Sequence, residues 1–246
     1  MGLTLDLRGR VCLVTGASRG IGRAIALSLA EAGGDIAINC RSRVADAQAV
    51  AAAVAAMGRR SVVVAGDVSR ATSVATVIAE VRSALGLIDV LVNNAGIAPR
   101  RGIEDLTEAD FDETIAVNLK SAFLCTQAVL PHMRSQRWGR IINVSSGAAR
   151  GAGSIGLHYN ASKAGLEGLT RGYAARLAKE GITVNAVAPS LVETEMMPAS
   201  QAEAAARIPI GRPGRTEEVA QAVLMVLGND YMTGQTVQLN GGMSFI

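Results

Sequence analysis

At 246 residues, 49% hydrophobic and 18% charged, the chain can bury a full core and falls in the range of one large α/β domain. Its net charge of +3 comes without a basic run of five or more and without interleaved aromatics, which are only 3% of residues; this argues against nucleic-acid binding and for a solvated surface with one or two local anion sites. Three scattered cysteines (Cys12, Cys40, Cys125) and two histidines (His132, His158) supply neither a disulfide framework nor a zinc spacing, residues 1–10 hold no apolar leader, and no stretch approaches 18 uninterrupted apolar residues. A soluble cytoplasmic protein in a reducing compartment, with no metal and no membrane partner, is expected.

In chain order, Val11-Cys12-Leu13-Val14 is a short apolar run closed by Thr-Gly, as suits a buried parallel strand. Residues 20–32 place Ile21, Ile25 and Leu29 at helical spacing and stop at Gly33-Gly34. A second strand is predicted over 36–38 and an Ala-rich helix over 44–57, with Gly58 as its stop. A third strand follows over 61–65, a third helix over 71–85, and a fourth strand over 88–92 that runs into Asn93-Asn94-Ala95-Gly96. The pattern then predicts one long helix over 107–133, a strand over 140–144, a helix over 158–180 and a strand over 183–188 ended by Pro189. Residues 190–215 mix Pro, Gly, Met and Ala without a firm pattern, before a last helix over 216–227 and a last strand over 236–239. Alternation without repeats or a linker predicts an α/β, doubly wound parallel sheet of Rossmann type, a single domain over residues 1–246. In such a sheet a ligand sits at the carboxyl ends of the strands, and every motif below falls there or on the helix that follows.

The first of these is Gly16-Ala17-Ser18-Arg19-Gly20-Ile21-Gly22, between the first strand and its helix. Glycines there permit positive φ and close backbone approach, and the helix N-terminus favours an anion, so the turn reads as a pyrophosphate cradle. The same residues match G-x-S-x-G, the nucleophile elbow of serine hydrolases. An elbow on the first strand leaves no earlier strand for an oxyanion hole, and its partner would have to be His132 or His158, each with a duller role open to it. At the end of the second strand, Cys40 stands where an NAD site needs an acidic residue for the ribose 2′-hydroxyl, with Arg41 beside it. Arg19, Arg41, Ser42 and Arg43 suit a 2′-phosphate instead, which predicts NADP (NADPH) as cofactor.

Tyr159 and Lys163, four apart on a predicted helix, share a face. A phenol of pKa about 10 is a poor proton relay at neutral pH, and a nearby ammonium is expected to lower it. Lysine is scarce here (Lys120, Lys163 and Lys179 against 21 arginines), so its place opposite Tyr159 is notable. Ser146, after the strand over 140–144, is placed to donate a hydrogen bond to a substrate carbonyl, with Ser145 as the bland competitor. Asn118 is a poor mid-helix residue and is either a satisfied buried polar group or the holder of a relay water.

These segments, together with Val184-Asn185-Ala186-Val187-Ala188-Pro189, resemble the short-chain dehydrogenase/reductase family across nearly the whole chain. The resemblance implies a catalytic tetrad of Asn118, Ser146, Tyr159 and Lys163. In it Tyr159 is the acid in reduction and the base in oxidation, and Lys163 also binds the nicotinamide ribose. It further implies Asp67 and Val68 at the adenine, Asn94 near its ribose, Thr194 near the carboxamide, and Ala95, Gly96 and Pro189 along the cofactor. Within the family the closing Tyr231-Met232-Thr233-Gly234-Gln235-Thr236-Val237 and Asn240-Gly241-Gly242 are most similar to the 3-oxoacyl-carrier-protein reductases, enzymes of fatty acid biosynthesis. Three departures stand out: Pro189-Ser190 where the family has Pro-Gly, a short lid between Thr194 and Pro209, and Glu180 opposite Arg137 where two basic residues would dock an acidic carrier. The implied activity is an NADP-dependent ketoreductase, with a 3-oxoacyl thioester as the candidate substrate. A dehydrogenase of a sugar, polyol or small alcohol and a non-catalytic NADPH-binding protein are the alternatives. A homotetramer is implied, pairing through the helices over 107–133 and 158–180 and through the carboxyl-terminal strand and helix.

Overall fold

The computed structural model describes residues 5–151, 153–195, 205–206 and 208–245. Apolar runs too short to be helices become strands here: β1 (Val11–Val14), β2 (Asp35–Cys40), β3 (Ser61–Ala65), β4 (Val90–Asn93), β5 (Gly139–Val144), β6 (Ile182–Pro189) and β7 (Thr236–Leu239). They form one parallel sheet in the order β3-β2-β1-β4-β5-β6-β7. The order reverses between β1 and β4, so their carboxyl ends diverge and open a crevice, the place where sheets of this kind bind ligands.

Side chains alternate across the sheet with a period of two. Cys12, Val14, Ile36, Ile38, Val92 and Ile142 face one layer, built from α1 (Gly20–Glu31), α2 (Val44–Ala56) and α7 (Thr216–Leu227). Val11, Leu13, Ala37, Leu91, Ile141 and Val184 face the other, built from α3 (Ala71–Ala84), α5 (Ser121–Gln136) and α6 (Leu157–Leu177). With so few aromatics, the largest fully buried side chains are Leu, Ile and Met. All three cysteines are free and buried. Among the described residues no helix is long and apolar enough to cross a membrane.

Two predicted helices differ from what is observed. The helix over 107–133 is interrupted: α4 (Glu108–Ile115) gives way to a π turn at Ala116–Lys120 before α5 begins. The cause is tertiary, because Asn118 is tied to the backbone of Ile97 on another segment, and periodicity carries no trace of that tie. The Ser121 hydroxyl donates to the Val117 carbonyl at 2.6 Å, satisfying an acceptor in the altered turn. The helix over 158–180 ends as an α-helix at Leu177, tightens to a 3-10 turn at Ala178–Glu180 and stops at Gly181, whose φ of 77° only glycine adopts readily. After β6, Val192 bridges to Gly214. Most of the short lid, residues 196–204 and 207, lies outside the described residues.

Candidate active site

The glycine turn is held by side chains from two neighbouring strand ends. The Thr15 hydroxyl accepts from the backbone N–H groups of Asn94 and Ala95, each at 3.0 Å, while the Asn94 amide donates to the carbonyls of Thr15 and Gly16 at 2.9 and 3.0 Å. From β2, the Asn39 amide accepts from Gly16 N at 3.4 Å and donates to the carbonyls of Val64 and Gly66 at 3.1 and 3.2 Å. Gly16 has φ of 63°, and a Cβ on Gly22 would fall 2.5 Å from the Gly16 carbonyl oxygen, so neither position admits a side chain. Beyond the turn, α1 begins with no side-chain cap and no acidic residue in its first turn, whereas Thr107 and Asp110 form a capping box on α4. The first N–H groups of α1 are left for an external anion.

A cleft of about 810 Å³ runs from this turn along the carboxyl edge of the sheet. Of the residues predicted for the site, all but Asn118 line it. At one end lie Cys40, Arg41, Ser42, Asp67 and Val68. Against the upward push of partial burial, hydrogen bonds from Ser69 and the charges of Arg41 and Arg70 hold the Asp67 carboxyl below its ordinary value. Arg41 stands 4.0 Å from Glu113, and Arg19 and Arg43 both contact Glu195.

At the other end, β5 delivers Ser146 and α6 delivers Tyr159 and Lys163. The Ser146 hydroxyl accepts from Ala148 N at 3.2 Å, while that of Ser145 is turned to Glu167 at 3.3 Å and to the Lys163 carbonyl at 3.4 Å. Ser146 is therefore the serine of the pair that stands beside the phenol, and its hydrogen bond to Tyr159 partly offsets the effect of burial, which raises the phenol. The expected depression of that pKa by Lys163 is absent: the ammonium lies 5.7 Å from the ring centroid and donates to the Val144 carbonyl at 2.8 Å. Burial brings Lys163 itself down to about 8. Asn118 sits just behind the cleft. It exchanges hydrogen bonds with the N–H and C=O of Ile97 at 2.8 and 2.9 Å and donates to the Ser162 hydroxyl at 3.1 Å, which is the satisfied-polar-group reading.

Pattern reading missed Asn39, Glu195 and Met243. The Ser190 hydroxyl contacts the Met243 sulfur at 3.4 Å, so the serine that replaces the family's glycine closes the cleft floor with the end of the chain. Both histidines have other work: His132 lies 3.4 Å from Asp89, just before β4 at the opposite edge of the sheet, and His158 is 2.9 Å from the Pro99 carbonyl. The hydrolase reading loses its base. Among the described residues no cluster suits a metal.

A parallel sheet with this strand order, a glycine turn at its switch point and a Ser-Tyr-Lys group across the cleft describe a dinucleotide-dependent oxidoreductase. The family model for short chain dehydrogenases matches residues 10–205, and the chain belongs to that family, whose chemistry runs on a nicotinamide cofactor. It is 43% identical over 239 residues to the 3-oxoacyl-[acyl-carrier-protein] reductase of Staphylococcus aureus, covering 94% of this chain and 96% of the relative. Two solved structures each cover 98% of both chains. One, provisionally described as a short-chain alcohol dehydrogenase from Sinorhizobium meliloti, has a TM-score of 0.92 at 36% identity. The other, provisionally described as a gluconate dehydrogenase from Agrobacterium tumefaciens, has a TM-score of 0.91 at 33% identity.

The lowered Lys163 has a consequence for stability. Because its folded pKa of about 8 lies below the ordinary 10.5, the unfolded chain binds more protons between those values, and stability rises with pH across that window. Measured by urea unfolding against Lys163→Met, the wild type should gain about 2–3 kcal/mol between pH 7.5 and 10. Parallel pH curves for the two proteins would show that Lys163 titrates normally.

Proposed function

We propose that this chain is an NADP(H)-dependent ketoreductase, that one domain over residues 1–246 holds cofactor and substrate together, and that a 3-oxoacyl thioester is its leading substrate. The observation that carries the reading is the placement of Ser146, Tyr159 and Lys163 on a cleft whose far end combines an uncapped helix N-terminus with a cluster of arginines. The residues suit a phosphorylated dinucleotide. Gly16, Ser18, Gly20, Ile21 and Gly22 would cradle the pyrophosphate, and Arg19, Arg41 and Ser42 would take the 2′-phosphate. Asp67 and Val68 would flank the adenine, with Asn94, Ala95 and Gly96 along the ribose side and Pro189 and Thr194 at the nicotinamide. Both Asn94 amide protons are spent within the glycine turn, so its part is to shape the wall. When bound, the nicotinamide supplies or accepts the hydride.

The protein's own part is proton transfer and polarisation. In reduction, Ser146 donates a hydrogen bond to the carbonyl oxygen, and Tyr159 gives its phenolic proton to that oxygen as negative charge develops there. The phenolate left in a buried site needs a cation. Lys163 spends one of its three protons on Val144, which leaves two for the phenolate and the cofactor ribose. In oxidation the same groups run in reverse, with Tyr159 as base. Asn118, its side chain committed, holds the π turn and Ile97 in place, and the altered backbone of that turn is the candidate anchor for a relay water.

A second reading, oxidation of a sugar, polyol or small alcohol, is favoured by the likeness to the gluconate dehydrogenase and by Glu180, which pairs with Arg134 at 2.7 Å where an acidic carrier would need a cation. A homotetramer is supported by exposed apolar side chains on α4, α5 and α6 (Phe111, Phe123, Leu157), and by Met225 on α7 and Tyr231 beside the open edge strand β7.

NADPH oxidation with an acetoacetyl thioester should be catalysed by the wild type and fall by about 10²–10⁴ in Tyr159→Phe. Bound NADPH without turnover of the thioester would pass the substrate to the sugar and polyol class. Arg41→Asp should weaken NADPH binding and favour NADH; an unchanged preference would take Arg41 out of the phosphate site. Light scattering should give the mass of four chains, and a monomer would overturn the assembly.

A further inference from the structure

Two of the three arginines that suit a 2′-phosphate, Arg19 and Arg43, already hold an anion. Glu195, six residues after the end of β6, places a single carboxylate oxygen, Oε2, between Arg19 Nη1 from the glycine turn and Arg43 Nη2 from the β2–α2 turn, the latter at 3.3 Å. Three segments distant in sequence meet at this one atom. The neighbouring residue, Thr194, lies across the glycine turn, its Cγ2 3.6 Å from where a Cβ on Gly20 would stand. The carboxylate therefore holds two cations at the cofactor's phosphate end, and the residue joined to it is the one the family resemblance puts near the carboxamide.

We propose that Glu195 is an internal anion occupying the 2′-phosphate site, so that NADPH binds by exchanging its phosphate for this carboxylate while NADH leaves the carboxylate where it is. The inference rests on the NADP reading above and names the residue that sets how strongly that preference is expressed. A phosphate carries more charge than a carboxylate and offers three oxygens to two guanidinium forks, so the exchange runs in its favour. The carboxylate, however, is tethered, and competes at the effective concentration of an intramolecular group. Arg19, Arg43 and Glu195 are each about half exposed, so the pairs are weak and the competition is modest.

The test compares NADPH and NADH binding by titration calorimetry in the wild type, in Glu195→Gln and in Glu193→Gln, which removes the same charge two residues away. The proposal expects NADPH to bind about three- to tenfold more tightly to Glu195→Gln, a range set by two exposed pairs, with NADH unchanged and Glu193→Gln like the wild type. A thermal shift with 2′,5′-ADP, which carries the phosphate and lacks the nicotinamide, should be larger in Glu195→Gln in step with its affinity. If the wild type prefers NADPH but Glu195→Gln binds it no better, or if Glu193→Gln tightens it equally, this inference alone fails. If the wild type shows no preference for NADPH over NADH, the cofactor reading fails and takes this one with it.

Discussion

The site depends on one constraint: the turn after β1 must stay open and rigid where three parallel strands end side by side. Glycine supplies the shape of that turn but nothing to hold it, since a residue without a side chain loses the most freedom on folding. The rigidity comes from polar side chains on the neighbouring strands. Thr15, Asn39 and Asn94 tie the turn to the ends of β2 and β4, and Asn39 extends the tie to β3. These bonds are partly shielded from water, where leaving a backbone group unpaired is expensive, so the network acts as a unit. The first turn of α1 then projects its free N–H groups into the cleft at a fixed angle, and the dinucleotide end of the site follows from that.

At the catalytic end the same burial that organises the site works against its chemistry. It raises the phenol of Tyr159 and lowers the ammonium of Lys163, moving each away from its charged form, the phenolate and the ammonium that must face each other after proton transfer. Neighbouring groups offset part of this for the phenol and hold the ammonium in place. Ser146 gives the phenol a hydrogen-bond partner, and the Val144 carbonyl keeps the ammonium directed into the cleft wall. The Lys163 amine also lies 3.7 Å from where a Cβ on Gly96 would stand, so the lysine, the Asn118 amide and the end of β4 crowd one point and fix one another's positions. A site assembled this way is least polarised before its ligands arrive, because the anion that Lys163 serves appears only when the phenol gives up its proton.

Much of this was legible in the residues themselves. The bounds of β1, β3, α7 and β7 follow from apolar runs and their glycine and proline punctuation, and the four-residue spacing of Tyr159 and Lys163 puts both in the cleft as expected. What was illegible is tertiary in origin. The π turn has no periodic signature, and its one sign was an asparagine in the middle of a helix. Asn39 lies outside the strand predicted over 36–38, although it continues the strand and ties the turn after β1 to the end of β3. The lowering of the Tyr159 pKa by Lys163 was inferred from helical proximity. The structure shows the ammonium bonded to a strand carbonyl that no spacing rule could place beside it.

The two ends of the cleft differ in how tightly the fold specifies them, and this bears on what the enzyme acts on. The cofactor end is built from strand termini and the polar ties between them, so family members that share the sheet can share it. The substrate end is closed by segments outside the sheet: the stretch from Ile97 to Arg100, the stretch from Gly153 to Ile155, and the floor where Ser190 meets Met243. Arg101 N bonded to the Ile155 carbonyl holds the first two segments against each other, while Asn118 and His158 tie the first of them to the helices behind it. Changes there leave the sheet itself untouched while altering the walls of the cleft, and two solved structures of nearly the same fold are provisionally described as a short-chain alcohol dehydrogenase and a gluconate dehydrogenase. In this chain the departure at Ser190 falls where that floor meets the end of β6 at Pro189, so it touches the joint between the two ends of the cleft and leaves the sheet itself unchanged.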